Sequence, residues 1–199
     1  MKRGNPQGKG RVPALEAWNA TSPVTLAAPR SAQHLLTDYC ASSLILAARF
    51  DFRPVPGNTY HLYRCEGAWR LSLISPREWG SRLPGVPVAR CQLRDDMTWA
   101  LEADNDLADN PEVMRALQQH INGFFDLINT SAPLAETLPF YAADLPFFPR
   151  LLASGLARSL RSELHRGGAA NESGQALLDA SGAGSRLLQI LPGSTTSSL

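Results

Sequence analysis

Glu66-Gly67 is the pair of residues that most constrains what this chain can fold into. It separates two short runs, Tyr60-His61-Leu62-Tyr63-Arg64-Cys65 and Ala68-Trp69-Arg70-Leu71-Ser72-Leu73, in which bulky apolar residues recur at every second position. A period of two is the signature of strands, and a two-residue connection ending in Gly makes a tight hairpin, because Gly supplies the positive φ that such turns need. The turn dictates the pairing. Tyr60 faces Leu73, Leu62 faces Leu71 and Arg64 faces Trp69 on an apolar side; His61 faces Ser72 and Tyr63 faces Arg70 on a more polar side.

The second run leads into Ser75-Pro76-Arg77-Glu78-Trp79-Gly80. Ser-x-x-Glu with Pro at the first helical position is a capping box: Ser75 accepts from the Glu78 N–H, and the Glu78 carboxylate reaches back to the Ser75 N–H. Gly80 suits the conformation that ends a helix. The segment therefore encodes one helical turn with Trp79 placed on the body of the domain. An acid beside an aromatic platform could also grip a ligand, but capping accounts for the Ser, the Pro and the Glu without one.

Three helices are expected around the strands. Over 31–50, Leu35, Tyr39, Ser42 and Leu46 follow one helical stripe and Leu36, Cys40, Ser43, Ala47 and Phe50 the next. A face that wide lies against a sheet, with Ser31 as its N-cap. Asn110-Pro111 opens a second helix with Val113, Leu117, Ile121, Phe124 and Ile128 inward. The third covers 149–165, with Leu152, Leu156, Leu160 and Leu164 on one side. Residues 87–102 read as a second hairpin around an Arg94-Asp95-Asp96 loop. Leu93 then pairs Met97, Cys91 pairs Trp99 and Ala89 pairs Leu101, with an Asp in the left-handed position. The segment 133–149 is irregular and aromatic, and is expected to drape over the polar side of the first hairpin.

Composition limits the function classes. Net charge is +1, so nothing global calls for a nucleic acid. Basic residues are local instead: Lys2, Arg3, Lys9 and Arg11 in an N-terminal arm, and Arg150, Arg158, Arg161 and Arg166 near the third helix. Cys40, Cys65 and Cys91 form no CxxC pair, which fits free thiols in a reducing compartment. The basic start has no apolar stretch behind it, and no run approaches the ~18 apolar residues of a membrane span. A cytoplasmic location is expected.

Catalytic motifs are scarce. Gly8-Lys9-Gly10 lacks the spacing and the Ser or Thr of a phosphate loop. His61 and Cys65 share a strand face, but four residues along a strand is about 13 Å, too far for a nucleophile–base pair. Cys91 does not converge with them, so no metal site is expected, and Cys40 and Cys91 read as buried structural residues. The acids between positions 102 and 109 lack a cation-loop pattern.

At residues 57–80 the chain resembles a family catalogued as domain of unknown function 2452. Gly57, Asn58, Tyr60, Leu62 and Tyr63 match its first strand, and Ser72, Ile74, Ser75, Pro76, Glu78, Trp79 and Gly80 match the segment after the turn. Leu93, Asp96 and Trp99 fit a later pattern, and Asn5, Pro6 and Gly8 an early one, so the resemblance spans roughly 5–105. It implies no activity, cofactor or catalytic residue.

The expectation is thus an α+β domain over 31–165: an antiparallel four-stranded sheet of two hairpins packed by flanking helices, with a basic arm at 1–30 and a low-complexity, mostly disordered tail at 166–199. Its function is expected to be non-catalytic interaction or ligand binding through His61, Tyr63, Arg70 and Ser72, with Glu78 and Trp79 at the rim. Gly57, Asn58, Tyr60, Ser75, Pro76, Gly80 and Trp99 are read as structural. One alternative is a hydrolase using Cys65 and His61; another is peripheral membrane contact through 150–165. No cofactor or metal is expected, and the leading partner is a protein or small molecule rather than nucleic acid or membrane.

Overall fold

Ser31 caps the first helix, α1 (Ala32–Leu46), by accepting from the His34 N–H at 3.3 Å. The computed structural model describes residues 28–181 apart from Tyr141. The N-terminal arm up to residue 27 and everything beyond 181, including Asn5, Pro6 and Gly8, lie outside the described residues. Leu35, Leu36, Tyr39, Cys40, Leu44 and Ile45 are all buried, on every side of α1. A helix apolar all round must be enclosed. The sheet lies on one side of it and three further helices on the others.

The sheet has the order β2-β1-β3-β4, every pair antiparallel. The strands are β1 (Thr59–Cys65), β2 (Ala68–Ser72), β3 (Val86–Leu93) and β4 (Trp99–Ala103). The β1–β2 turn forms as expected, with Glu66 at φ 46° and Gly67 at φ 76°, the mirror-image turn that matches strand twist. The register follows, pairing His61 with Ser72, Leu62 with Leu71, Tyr63 with Arg70 and Arg64 with Trp69. Arg64 also lies over the Trp69 ring at 4.4 Å. Leu73 departs from the expectation: β2 ends at Ser72, and Leu73 is 58% exposed instead of facing Tyr60.

The second hairpin is shifted by two residues from the expected register. Leu93 pairs Trp99, Cys91 pairs Leu101 and Ala89 pairs Ala103. The loop is Asp95-Asp96-Met97, closed by the Arg94 N–H on the Thr98 carbonyl at 2.9 Å, and Met97 takes the left-handed position at φ 65°. Asp96 decides this. Its carboxylate accepts from the Thr98 N–H at 3.0 Å and hydroxyl at 2.6 Å, and pairs with Arg30. Arg30 and Arg94 both hold Asp38 of α1, at 2.8 and 2.7 Å. The Trp99 N–H donates to Ser42 of α1 at 3.0 Å. The loop is thus tied to a helix distant in sequence. The even shift leaves each residue on its expected face.

Ser75-Pro76 opens the one-turn α2 (Pro76–Trp79) with both arms of the capping box in place. Asn110 precedes α3 (Pro111–Ile128), whose Val113, Leu117, Ile121, Phe124 and Ile128 are buried as the spacing predicts. The helix α4 (Phe147–Arg166) buries Leu152, Leu156, Leu160 and Leu164. The chain past 166 does not dissolve into a tail at once. A bridge joins Pro133 and Ser173, and α5 (Gly174–Ser181) packs on α1 with Leu177 buried. Gly174 is required there, since a Cβ would stand 1.8 Å from the Ile128 carbonyl oxygen.

The segment 133–149 takes the helical side, not the outer face of the sheet. Leu134 and Leu138 join the core, and Tyr39 of α1 donates to the Thr137 carbonyl at 2.7 Å. The order is therefore sheet, central helix, then a helical layer, an α+β architecture in which, among the described residues, the sheet's second face carries only the one-turn α2 at its edge.

Candidate interaction site on the outer sheet face

The face of the sheet turned away from α1 carries Thr59, His61, Tyr63 and Cys65 from β1. Ser72 and Arg70 of β2 and Arg90, Gln92 and Glu102 of β3 and β4 join them by pairing. Arg70, Arg90, Gln92 and Glu102 are exposed and His61 is half-buried. Three of these residues stand in a row across neighbouring strands, since His61 pairs Arg90 and Arg90 pairs Glu102. The Arg90–Glu102 contact is 3.8 Å long with both side chains mostly in water, so it contributes about 0–1 kcal/mol.

The row lines a cleft of about 220 Å³ together with Pro76, Pro87, Asp104 and Asn105. Burial lowers the pKa of His61, opposed by Glu78 and Asp104 and assisted by Arg90. His61 therefore favours its neutral form more than a free imidazole does. Glu78, on the rim, is fully exposed, and its carboxyl is held below the usual range by the Ser75 hydroxyl and N–H, at 2.6 and 2.8 Å.

Two expected site residues are not on the open surface. Tyr63 is fully buried, because the chain folds back after β2 and the Ile74 carbonyl accepts its hydroxyl at 2.8 Å. A β-bulge at Leu62/Tyr63 brings Pro87 opposite it. Burial raises the phenol to about 12, with Asp104, Glu78 and Cys65 adding to the rise. Ser72 is buried too, its hydroxyl accepting from the Ile74 N–H at 3.0 Å. Both belong to the support of the face. Trp79 is half-buried, with an indole N–H that finds no partner among the described residues.

The residues read as structural have visible tasks. Gly57 sits at φ 82° and donates to the Leu93 carbonyl at 2.8 Å. The Asn58 N–H turns back to Val55 at 3.2 Å, and the Tyr60 hydroxyl accepts from the Val55 N–H at 2.7 Å. Tyr60 and Trp99 meet edge to face at 5.6 Å in the core. Gly80 ends α2 at φ 55°.

Cys65 rests against Gly85, and burial raises its thiol pKa ahead of an opposing effect of Arg70. A nucleophilic thiol needs the opposite shift. Cys40 and Cys91 are buried and pushed up to about 12. All three cysteines are free. No group of three or more metal-ligating side chains occurs among the described residues.

Arg90, Glu102 and Asp104 are not singled out by the sequence pattern. Alternation in β3 does place Arg90 out of phase with Ala89, Cys91 and Leu93. What alternation alone does not disclose is that β3 lies next to β1 and sets Arg90 beside His61.

The family described as Protein of unknown function (DUF2452) matches residues 28–122. Over that stretch the chain is similar to the family. The match begins at the approach to α1 and runs into α3, so it takes in the whole sheet and excludes Asn5, Pro6 and Gly8. No solved structure matches the chain.

Proposed function

We propose that the outer sheet face is a docking surface for a partner protein, and that the chain acts as a non-catalytic cytosolic interaction module. The carrying observation is the row His61–Arg90–Glu102, with Arg70 beside it, on a sheet whose long helices, among the described residues, pack around α1 on the opposite side. An antiparallel sheet tolerates one wet face. This one presents both charge signs and a half-buried imidazole over a rigid backbone, which suits recognition of a complementary surface. The neighbouring cleft, at about 220 Å³, is below the ~300–1,000 Å³ of small-molecule sites, which supports a polypeptide partner over a small ligand. Three unpaired thiols support a reducing compartment. Among the described residues no helix is long and apolar enough to cross a membrane.

The test is site-specific photo-crosslinking in cells, with the crosslinker at Arg90 and, as a control, at the exposed Arg115 of α3. A discrete adduct from position 90 that disappears in an Arg70→Glu background supports the docking surface. Equal adduct patterns from both positions overturn it.

A further inference from the structure

The outward side of α4 differs in kind from the sheet face. Its exposed residues are Phe147, Arg150, Leu151, Arg158, Arg161, Ser162, His165 and Arg166. At 100° per residue they fall on a single stripe, opposite the buried Leu152, Leu156, Leu160 and Leu164. At the N-terminal end of that stripe Phe147 is 65% and Leu151 51% exposed, two large apolar side chains one turn apart. The remainder is basic. The helix has one acid, Glu163, which is buried and paired with Arg166. Arg150, Arg158 and Arg161 form no ion pair among the described residues. Arg161 lies over the Phe140 ring at 5.5 Å, beside a depression of about 720 Å³ that His165 and Glu136 also line. Glu136 is the single carboxylate there.

We propose that this stripe docks on an anionic lipid surface, Phe147 and Leu151 entering the headgroup boundary while Arg150, Arg158 and Arg161 meet lipid phosphates. Charge complementarity selects the occupant: a face with three unpaired guanidiniums and no exposed carboxylate on the helix needs an anionic partner. The adjoining exposed Phe and Leu favour one with an apolar layer beneath its charge. Solvated nucleic acid has no such layer on its phosphate side. Attachment is reversible, since one helix face carries two apolar anchors rather than a lipid chain.

The experiment is co-sedimentation of the full chain with vesicles of phosphatidylserine in phosphatidylcholine, at low and high salt, against vesicles of phosphatidylcholine alone. The expected result is pelleting with the anionic vesicles that declines with salt. Arg158→Gln and Arg161→Gln should each weaken binding roughly fivefold, and Phe147→Ser with Leu151→Ser should weaken it further at unchanged charge. Circular dichroism and thermal melts confirm that the variants remain folded. The basic residues at positions 2–11 are present in every variant, so only losses caused by the α4 substitutions count. Failure to pellet with anionic vesicles at low salt overturns the proposal. Binding that responds to the arginines but not to Phe147 and Leu151, with equal retention on heparin, also overturns it in favour of a general polyanion surface.

Discussion

The two faces of one sheet show how differently the same strands can be used. On the inner face Tyr60, Leu62, Leu71, Cys91, Leu93 and Trp99 are each no more than 2% exposed. Two polar groups there are committed within the chain: the Tyr60 hydroxyl to Val55, and the Trp99 backbone N–H to Ser42. On the outer face Arg70, Arg90 and Glu102 are exposed, and among the described residues the long Arg90–Glu102 contact is the one between charges there. Two residues cross over: Ser72 and Tyr63 lie on the outer face and are buried, Tyr63 as fully as any core residue. Residues whose bonding is complete within the fold maintain it, and residues left unoccupied are available to a partner.

Trp99→Ala should break the inner face most severely. It removes a fully buried ring in contact with Tyr60, and a loss of about 3–5 kcal/mol in denaturant-measured stability is expected. A loss under about 1 kcal/mol would mean that the inner face is not the core. Tyr63→Phe tests the larger of the two residues that cross over. It leaves the Ile74 carbonyl without its donor at nearly constant volume, so about 1 kcal/mol is expected. No change would return Tyr63 to the recognition surface.

Two of the four histidines, His120 and His61, sharpen the contrast through pH. His120 of α3 meets the Ser43 hydroxyl at 2.9 Å, and Ser43 donates its own proton to the Cys40 carbonyl, so His120 is the donor to Ser43. Burial lowers the pKa of His120, opposed by a backbone contact with Cys40. A histidine depressed in the folded state supports stability fully above its unfolded value of about 6.5, and that support declines as pH falls through this value toward the folded pKa. Unfolding at about pH 7.5 and about pH 5.5, on either side of that value, should therefore show lower stability at the acidic end. His120→Gln should flatten the dependence, and His61→Gln should flatten it less, since Glu78 and Asp104 already favour the charged form of His61. The smallest stability effect belongs to Arg70→Glu. Exposed substitutions of this kind change stability by within about 0.5 kcal/mol, so the expected outcome is an unaltered melt together with loss of the photo-crosslinked partner.

Much of this contrast is legible in the sequence. Alternation across Glu66-Gly67 sets the register of the first hairpin, and Ser75-Pro76-Arg77-Glu78 announces its capping box, because both rest on contacts a few residues apart. The helical stripes at 113–128 and 152–164 are legible for the same reason. The second hairpin is displaced by two residues because its turn answers to Arg30, Asp38 and Ser42, all remote in sequence. Met97, an unpromising left-handed residue, is tolerated because Asp96 anchors Thr98 beside it. The burial of Tyr63 escapes a strand pattern, since nothing in alternation says where the next loop folds back. The docking of α5 is hidden in a small-residue composition, where Gly174 matters for the space it leaves against Ile128.

By itself the sequence determined the four strands, the three long helices, the capped turn, the parity of each strand and a resemblance to the family whose match covers residues 28–122. Each follows from short-range sterics and hydrogen bonding. The tertiary structure alone decided that β1 lies between β2 and β3, that the aromatic segment 133–149 joins the helical side, and that His61, Arg90 and Glu102 form one open row. Those outcomes turn on which apolar faces close upon one another, a choice made by total buried area across the whole chain, of which no local pattern holds a record.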